Sequence, residues 1–418
     1  MNAPRESVVR EVVIVGRDAP LWLSACALQF ALAPAGVQVT LVELPPLTQP
    51  ADVCISLPAL EAFQTRLRIN EARLVTATRA AFTLGRRFVD SAGQVPAFFH
   101  AHGSNGSRID CKEFLPQWLH ARRHGLEARF EEFSLTATAA RQGRMLLPDA
   151  AIDGFGFTDY GYHLPAIPYG AVLRQIALQR GVRQHATRAL DVQLDERGSI
   201  TALMLDGGRR VAGDFFLDVT GSEGLLIGAM GVSRASWRDA FPVDRVLTAH
   251  SALLSPVPIY SEIRAQATGW TSLASSQICM HVQQAYCSEI TSDAEALASA
   301  GMRLQGVIVR ERHPGRRASA WKQNCVAIGE AACVFDPLHF VDLHAVQVGL
   351  VHLLPLFPVA ADFSVERDEY NQNVLDNQSV KRRGTPTDIG NLVVFLSSDG
   401  GSFITGQLIN IDGGWVMH

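Results

Sequence analysis

The sequence has 418 residues, of which 47% are hydrophobic and 19% are charged, and its formal net charge is −4. This length and composition predict a globular protein with a large core and two lobes. The small negative charge gives no reason to expect nucleic acid or an anionic membrane as a partner. No stretch reaches the ~18 apolar residues that a membrane span needs. Seven scattered cysteines without a CxxC pair indicate reduced thiols in a cytoplasmic protein and give no metal site.

The first unit of the chain is a strand, a turn, a helix and a second strand. Residues 12–15 form a β-branched apolar run, residues 21–32 an apolar helix, and residues 37–42 a strand that ends at Glu43. Such a βαβ unit holds a dinucleotide, with the diphosphate at the helix N-terminus and a ribose hydroxyl on the acidic residue. The predicted fold class is α/β, a Rossmann-like FAD/NAD(P)-binding parallel sheet with an antiparallel meander and a mixed substrate lobe.

The turn of this unit departs from the Gly-x-Gly-x-x-Gly fingerprint. The three glycine positions hold Gly16, Asp18 and Leu21, so only the first glycine is kept. Asp18 would put a carboxylate beside the diphosphate, and Pro20 removes a backbone N–H. Two interpretations stay open. The turn is either a weakened dinucleotide site with Glu43 on the ribose, or a turn in which Asp18 caps the helix and occupies the N–H groups that a phosphate would bind.

The next residues predict short helices, a strand and a less regular region. Residues 57–63 and 69–73 begin helices, and residues 81–85 predict a strand that enters a substrate lobe. Residues 89–150 mix aromatic residues, a polar turn and a helix-like run. This mixture suits an insertion that covers a binding cavity.

A helix and a meander follow. Residues 169–180 predict a helix that ends at Gly181, where glycine is favoured. Residues 189–217 alternate apolar and polar positions between Gly-containing turns, which predicts a three-stranded antiparallel element. Residues 214–221 then return the chain to the main sheet.

Several groups of residues in the later chain form an ordered set. They are Tyr162-His163, residues 214–228, residues 321–331, Asp336-Pro337-Leu338 and Glu369-Tyr370-Asn371. Within residues 8–375, this set resembles the flavin-dependent tryptophan halogenases, a branch of the FAD-dependent monooxygenases. The resemblance implies FAD as cofactor, reduced flavin and oxygen as the source of hypochlorous acid, a small-molecule substrate and a flavin reductase as partner. It implies cofactor-binding roles for Gly16, Ala19, Glu43, Ala189, Gly329, Pro337 and Leu338.

The resemblance also divides the chain into segments. They are 1–88 and 159–228 of a dinucleotide-binding domain, 89–158 and 229–315 of a substrate lobe, 316–375 with the second flavin segment and a helix, and a tail at 376–418. Residues 381–418 resemble the last helix and strand of short-chain dehydrogenases. None of the six tyrosines has a lysine four residues later, so the catalytic pair of those enzymes is missing from the sequence.

Three positions that carry the chemistry of the halogenases differ in this sequence. The halogen-carrying lysine corresponds to Thr83, a Trp-x-Trp-x-Ile-Pro signature keeps only Trp270, and a catalytic carboxylate corresponds to His339. Threonine has neither an amine to form a chloramine nor a charge to polarise hypochlorous acid. His339 is either a base without an evident partner or a packed structural residue.

These differences lead to two functional hypotheses. The first is an FAD-dependent halogenase-like monooxygenase or oxidoreductase without halogenating activity, in which Thr83 and His339 are degenerate catalytic positions. The second is a non-catalytic relative that keeps the fold as a binding or scaffold protein, or as a decaying fusion product.

Overall fold

The computed structural model describes residues 9–109, 112–152, 155–358, 362 and 364–376, so the dehydrogenase-like segment 381–418 lies outside the described residues. Within these ranges the chain alternates strands with helices of five to fifteen residues. The α-helices are Asp18–Leu32, Ala59–Arg66, Glu71–Thr78, Phe114–Arg123, Leu135–Arg141, Ala166–Gln179, Leu225–Ala229, Asp293–Ser299, Asp342–Leu353 and Ser364–Asp376.

A six-stranded sheet forms the centre of the predicted dinucleotide-binding part. Neighbouring strands of this sheet are parallel, except for the antiparallel pair Trp321–Lys322 and Cys325–Ala327 at one edge. The order is Trp321–Lys322, Cys325–Ala327, Phe215–Val219, Glu11–Gly16, Gln38–Glu43 and Arg183–Ala186. The two central strands are almost wholly buried, as expected for a parallel sheet that is covered on both faces.

The predicted βαβ unit is confirmed, with an earlier helix start. The helix begins at Asp18, three residues before the predicted start at Leu21. Pro20 is tolerated there because the first turn of a helix has no intrahelical partner for the missing N–H. The helix packs against Ala166–Gln179.

A seven-stranded sheet forms a second layer. Its pairs are antiparallel except for one parallel pair, Ser261–Gln266 with Gly85–Asp90. The order is Gln305–Glu311, Arg245–Ser251, Met280–Tyr286, Gly269–Ser275, Ser261–Gln266, Gly85–Asp90 and Phe98–Ala101.

Three smaller sheets complete the described fold, each with three strands. Their orders are Arg210–Ala212, Ile200–Leu205 and Leu190–Leu194; Arg234–Ser236, Gly315–Arg317 and Cys333–Val334; and Val53–Ile55, Gly161–Pro165 and Ala81–Thr83. The first of these is the predicted meander.

Two predicted strands end earlier than expected. The third meander strand ends at Ala212, because the Asp214 carboxylate accepts hydrogen bonds from the backbone of Arg10 and Glu11 and turns the chain into the main sheet. The strand predicted at residues 81–85 ends at Thr83, and the chain then enters a different sheet. The predicted segment boundaries themselves stay predictions.

The six cysteines in the described ranges are free thiols. Over the same ranges, no three His, Cys, Asp or Glu side chains are grouped closely enough to hold a metal ion. No helix of the described chain combines the length and apolar character that a membrane crossing requires.

Candidate functional site

A cavity of about 420 Å³ lies where the central parallel strands end. On one side it is lined by the start of the first helix and by residues that follow Phe215–Val219 and Cys325–Ala327. The facing wall comes from four strands of the seven-stranded sheet. Ligands of open α/β sheets bind at this edge, outside the carboxyl ends of the strands.

The first helix begins at this cavity without the predicted cap. Arg17 holds the N-cap position in extended conformation, and its side chain makes no capping hydrogen bond. Asp18 is the first helical residue, and its φ of +58° lies in the left-handed region that favours glycine. The Asp18 carboxylate accepts a hydrogen bond from the Leu47 N–H at 3.0 Å. The interpretation of Asp18 as a helix cap is therefore wrong, and its side chain lines the cavity instead.

A second aspartate lies beside this turn on the neighbouring strand. Asp218 is fully buried and lies opposite Val15 in the sheet. Its carboxylate accepts four hydrogen bonds of 2.7 to 3.0 Å, from the N–H and hydroxyl of Thr220 and from the N–H groups of Leu226 and Ile227. Burial raises the pKa of Asp218, whereas these four donors favour its charged form. Asp218 therefore fixes the turn that leads into Leu225–Ala229.

Arg310 connects the two walls of the cavity. Its guanidinium donates two hydrogen bonds to the Asp52 carboxylate, at 3.0 and 2.8 Å, and a third to the Leu47 carbonyl at 3.2 Å. Leu47 also donates to Asp18. The loop around Leu47 is thus held to the first helix on one side and to the seven-stranded sheet on the other.

Arg312 lies between two carboxylates in the cavity lining. It donates to Glu330 at 2.9 Å and to Asp342 at 2.6 Å, and its Nε donates to the Phe335 carbonyl. Burial raises the pKa of Glu330, as does the nearby Asp342, while Arg312 lowers it. The charge of Arg312 is therefore already matched by two acidic groups of the chain.

The predicted contacts of the first βαβ unit lie beside the cavity and do not line it. A Cβ on Gly16 would come within 2.5 Å of the Val219 carbonyl oxygen, so the neighbouring strand requires glycine there. Ala19 is buried in the first helix. Glu43 accepts a hydrogen bond from the Gln184 side chain. The cofactor roles of these residues stay predictions.

The other predicted cofactor positions also support the local backbone. The Ala189 carbonyl accepts hydrogen bonds from the Thr187 hydroxyl and the Asp206 N–H, and Ala189 itself is exposed. Gly329 has a φ of +64°. Pro337 and Leu338 lie in the short helix Pro337–His339, where Asp336 accepts the Leu338 N–H. None of these four lines the cavity, although Ile328 and Glu330, the chain neighbours of Gly329, do.

Thr83 lies in the core, away from the cavity lining. It is 1% exposed, and its hydroxyl donates to the Gly85 carbonyl at 3.1 Å. His339 ends the short helix Pro337–His339, and its side chain lies outside the description. The structure therefore describes the backbone at both degenerate positions, but of the two side chains it describes only that of Thr83.

The sequence reasoning missed the ion pairs that line the cavity. Arg310 and Arg312 are two residues apart at the end of a strand, and alternation puts such residues on the same face. This spacing was a signal for two basic groups on one wall. Their acidic partners come from other parts of the chain, and no sequence pattern predicts which carboxylate pairs with which arginine.

A dinucleotide is the ligand that the sequence predicts for this cavity, and its diphosphate does not fit the residues at the first turn. Asp18 adds a carboxylate where the anion would lie, and Pro20 lacks an N–H. Arg17, the third arginine that lines the cavity, is paired with Glu223 at 2.8 Å. The place and size of the cavity suit a small molecule, but its charges do not suit two phosphates.

Comparisons with known proteins were made for the whole chain. The sequence profile of the tryptophan halogenase family matches residues 11–381. Tryptophan 7-halogenase KtzQ from Kutzneria sp. is 27% identical over 401 residues, which cover 88% of this chain and 73% of that protein. The structure of BrvH, a flavin-dependent halogenase from Brevundimonas sp., superposes with a TM-score of 0.85 at 27% identity, covering 98% of this chain and 88% of that one.

A shorter similarity concerns a different class of enzyme. A 3-oxoacyl acyl-carrier-protein reductase, FabG from Staphylococcus epidermidis, is 40% identical over 63 residues, which are 15% of this chain and 26% of that protein. A match of this length gives only weak support to the predicted dehydrogenase-like tail. The family match, in contrast, spans the six-stranded sheet, the cavity and the facing sheet, so this chain belongs to the tryptophan halogenase family and has the fold of the flavin-dependent halogenases.

Proposed function

We propose that this member of the family does not halogenate. The observation that carries the proposal is the environment of Thr83. This residue replaces a lysine in the resemblance, is fully enclosed, and has its hydroxyl bonded to Gly85. A buried hydroxyl that already has a partner supplies neither an amine nor a positive charge to an oxidised halogen.

The substitution at residue 339 supports the same proposal. The resemblance implies a catalytic carboxylate at this position, and the sequence has a histidine. An imidazole has a different charge and geometry from a carboxylate at neutral pH. Two positions of the implied chemistry thus lack the groups that the chemistry uses.

In one form of the proposal, the protein binds a flavin. In this form the protein is an FAD-dependent oxidoreductase that oxidises a small molecule by another reaction and receives reduced flavin from a separate reductase. Membership of the family and the position of the cavity at the sheet edge support it. Gly16, Ala19, Glu43, Ala189, Gly329, Pro337 and Leu338 are the proposed cofactor positions of this form.

The other form is a non-catalytic protein that binds a small molecule in the same cavity. It is favoured by the charges at the first turn, because Asp18 opposes a diphosphate and the cavity arginines are paired with carboxylates. Flavin binding separates the two forms. A purified protein with flavin absorbance, or with saturable binding of FAD or reduced FAD, has the first form.

Halogenation is tested directly with the purified chain. The protein is incubated with FAD, a flavin reductase, NADH, chloride or bromide, and tryptophan or indole, with KtzQ as positive control, and products are analysed by mass spectrometry. We expect halide-dependent products from KtzQ alone. A halogenated product from this chain would contradict the proposal.

A double substitution tests whether the changes at residues 83 and 339 are sufficient to explain the proposed absence of halogenation. We expect Thr83→Lys with His339→Glu to form no halogenated product, because the altered first turn remains. Product formation by this variant would show that residues 83 and 339 alone disable the protein.

A further inference from the structure

Asp18 occupies the position at which the second glycine of a dinucleotide fingerprint would lie. It is the first residue of a fifteen-residue helix, at the end of the strand Glu11–Gly16. The helix N-terminus attracts anions through its free N–H groups and its dipole. A carboxylate fixed at this point already supplies the negative charge that a bound diphosphate would bring.

The backbone of Asp18 has a conformation that suits glycine. Its φ is +58°, and non-glycine residues adopt such values rarely. Aspartate tolerates this region better than most residues. The turn of this chain thus combines a backbone conformation typical of glycine with a charged side chain.

The other charges around the cavity do not compensate for this carboxylate. Each of the three lining arginines is held by acidic residues: Arg17 by Glu223, Arg310 by Asp52, and Arg312 by both Glu330 and Asp342. A diphosphate would have to compete with these carboxylates for every guanidinium. It would also lie beside the uncompensated charge of Asp18.

The other groups around the N-terminus of the first helix are suited to binding an anion. The helix begins without a capping side chain. The Nε of Arg17 is buried and has no hydrogen-bond partner in the described structure. Gly16 and Gly221 also keep side chains out of the turn region. A single substitution at residue 18 would therefore remove the negative charge beside N–H groups that no capping side chain occupies.

From these observations we infer that the Asp18 carboxylate excludes dinucleotide diphosphates from the cavity, and that the native ligand is a small molecule without a phosphate group. The inference deepens the non-catalytic form of the proposed function and rests on the same cavity. Its test measures binding, so it can fail while the absence of halogenation holds.

The test compares three ligands by isothermal titration calorimetry. FAD and ADP both contain the diphosphate, and riboflavin contains the flavin ring without phosphate. We expect no saturable binding of FAD or ADP to the natural sequence. In Asp18→Gly, the Kd for both should fall by at least about 100-fold, because a like charge next to a bound anion costs several kcal/mol. Riboflavin binding should change little.

Two further variants locate the effect. Asp18→Asn removes the charge and keeps a group that tolerates left-handed φ and can accept the Leu47 N–H. A gain in Asp18→Asn assigns the exclusion to charge, and a gain in Asp18→Gly alone assigns it to the space that the side chain fills; both support the inference. Glu196→Gln is the matched control, because it removes one negative charge from an exposed turn of the meander that does not line the cavity. It should leave FAD and ADP binding unchanged.

Three results would overturn the inference. They are tight FAD binding by the natural sequence, no gain in Asp18→Gly, and an equal gain in Glu196→Gln. Circular dichroism and urea denaturation establish that the variants are folded. If Asp18→Gly does not fold, Asp18→Asn carries the test.

Discussion

Asp18 begins the helix that follows the strand Glu11–Gly16, and Asp218 lies on the parallel strand next to it, yet the surroundings of the two carboxylates differ. Asp218 is fully buried and accepts four hydrogen bonds from one turn of the chain. Asp18 lines a cavity, accepts a hydrogen bond from the Leu47 N–H, and has a left-handed backbone. A carboxylate whose acceptor sites are filled by the chain supports the fold, whereas one with unfilled sites can interact with a ligand.

Substitution of Asp218 should have the largest effect on stability. Asp218→Ala removes the acceptor for three buried N–H groups and a hydroxyl, which we expect to lower the free energy of unfolding by about 4 kcal/mol. The change is measured by urea denaturation of both proteins. Thr220→Val is the milder control. It removes the hydroxyl that donates to Asp218 and accepts the Leu225 N–H, keeps the three N–H donors to Asp218, and should cost about 2 kcal/mol. If Asp218→Ala lowered the free energy of unfolding no more than Thr220→Val does, Asp218 would not organise this turn.

Arg312 offers an intermediate case, in which two carboxylates share one partner. Arg312→Met keeps much of the side-chain volume and leaves Glu330 and Asp342 without their cation. Both carboxylates are partly exposed, so we expect a loss of about 2 kcal/mol near neutral pH instead of the larger cost of a wholly buried pair. Urea denaturation gives the value.

The loss in Arg312→Met should depend on pH in a defined direction. The pKa of Glu330 is raised in the folded protein from its ordinary value of 4.5, so ionisation of Glu330 destabilises the fold as the pH rises through the folded pKa. Without Arg312 this pKa should rise further. The variant should therefore lose less stability at about pH 5 than at about pH 8. Adding Glu330→Gln should remove much of this difference, and a loss that is independent of pH would contradict the role of Glu330.

The fold was largely predictable because it follows from local patterns. The apolar run before Gly16 and the alternation in the meander gave the sheet and its antiparallel companion, and both are confirmed. The match to family motifs gave the order of the parts. Periodicity and turn residues act over a few neighbouring positions, so they can be read from the chain alone.

The candidate site was predictable only in its location. The sequence identified the altered turn, but it left open whether Asp18 capped the helix or faced a cavity. That choice depends on Leu47, which lies 29 positions away and provides the N–H that holds the carboxylate. The pairing of Arg310 with Asp52 spans 258 positions. Such contacts are set by tertiary packing, which no local pattern contains.

The smallest effect on stability is expected at Asp18 itself, and it provides the sharpest contrast with Asp218. Asp18→Gly loses the hydrogen bond to Leu47 and gains freedom in the unfolded chain, but it removes a side chain from a left-handed backbone, so we expect the free energy of unfolding to change by less than about 1 kcal/mol. Asp18→Ala loses the same hydrogen bond and keeps a Cβ at a φ of +58°. It should therefore be less stable than Asp18→Gly by about 1 kcal/mol, the reverse of the usual order of alanine and glycine in a helix. Urea denaturation of the pair decides this. If Asp18→Ala were more stable than Asp18→Gly, the backbone at residue 18 would be an ordinary helical one. The turn would then lack the glycine-like conformation of a dinucleotide-binding turn.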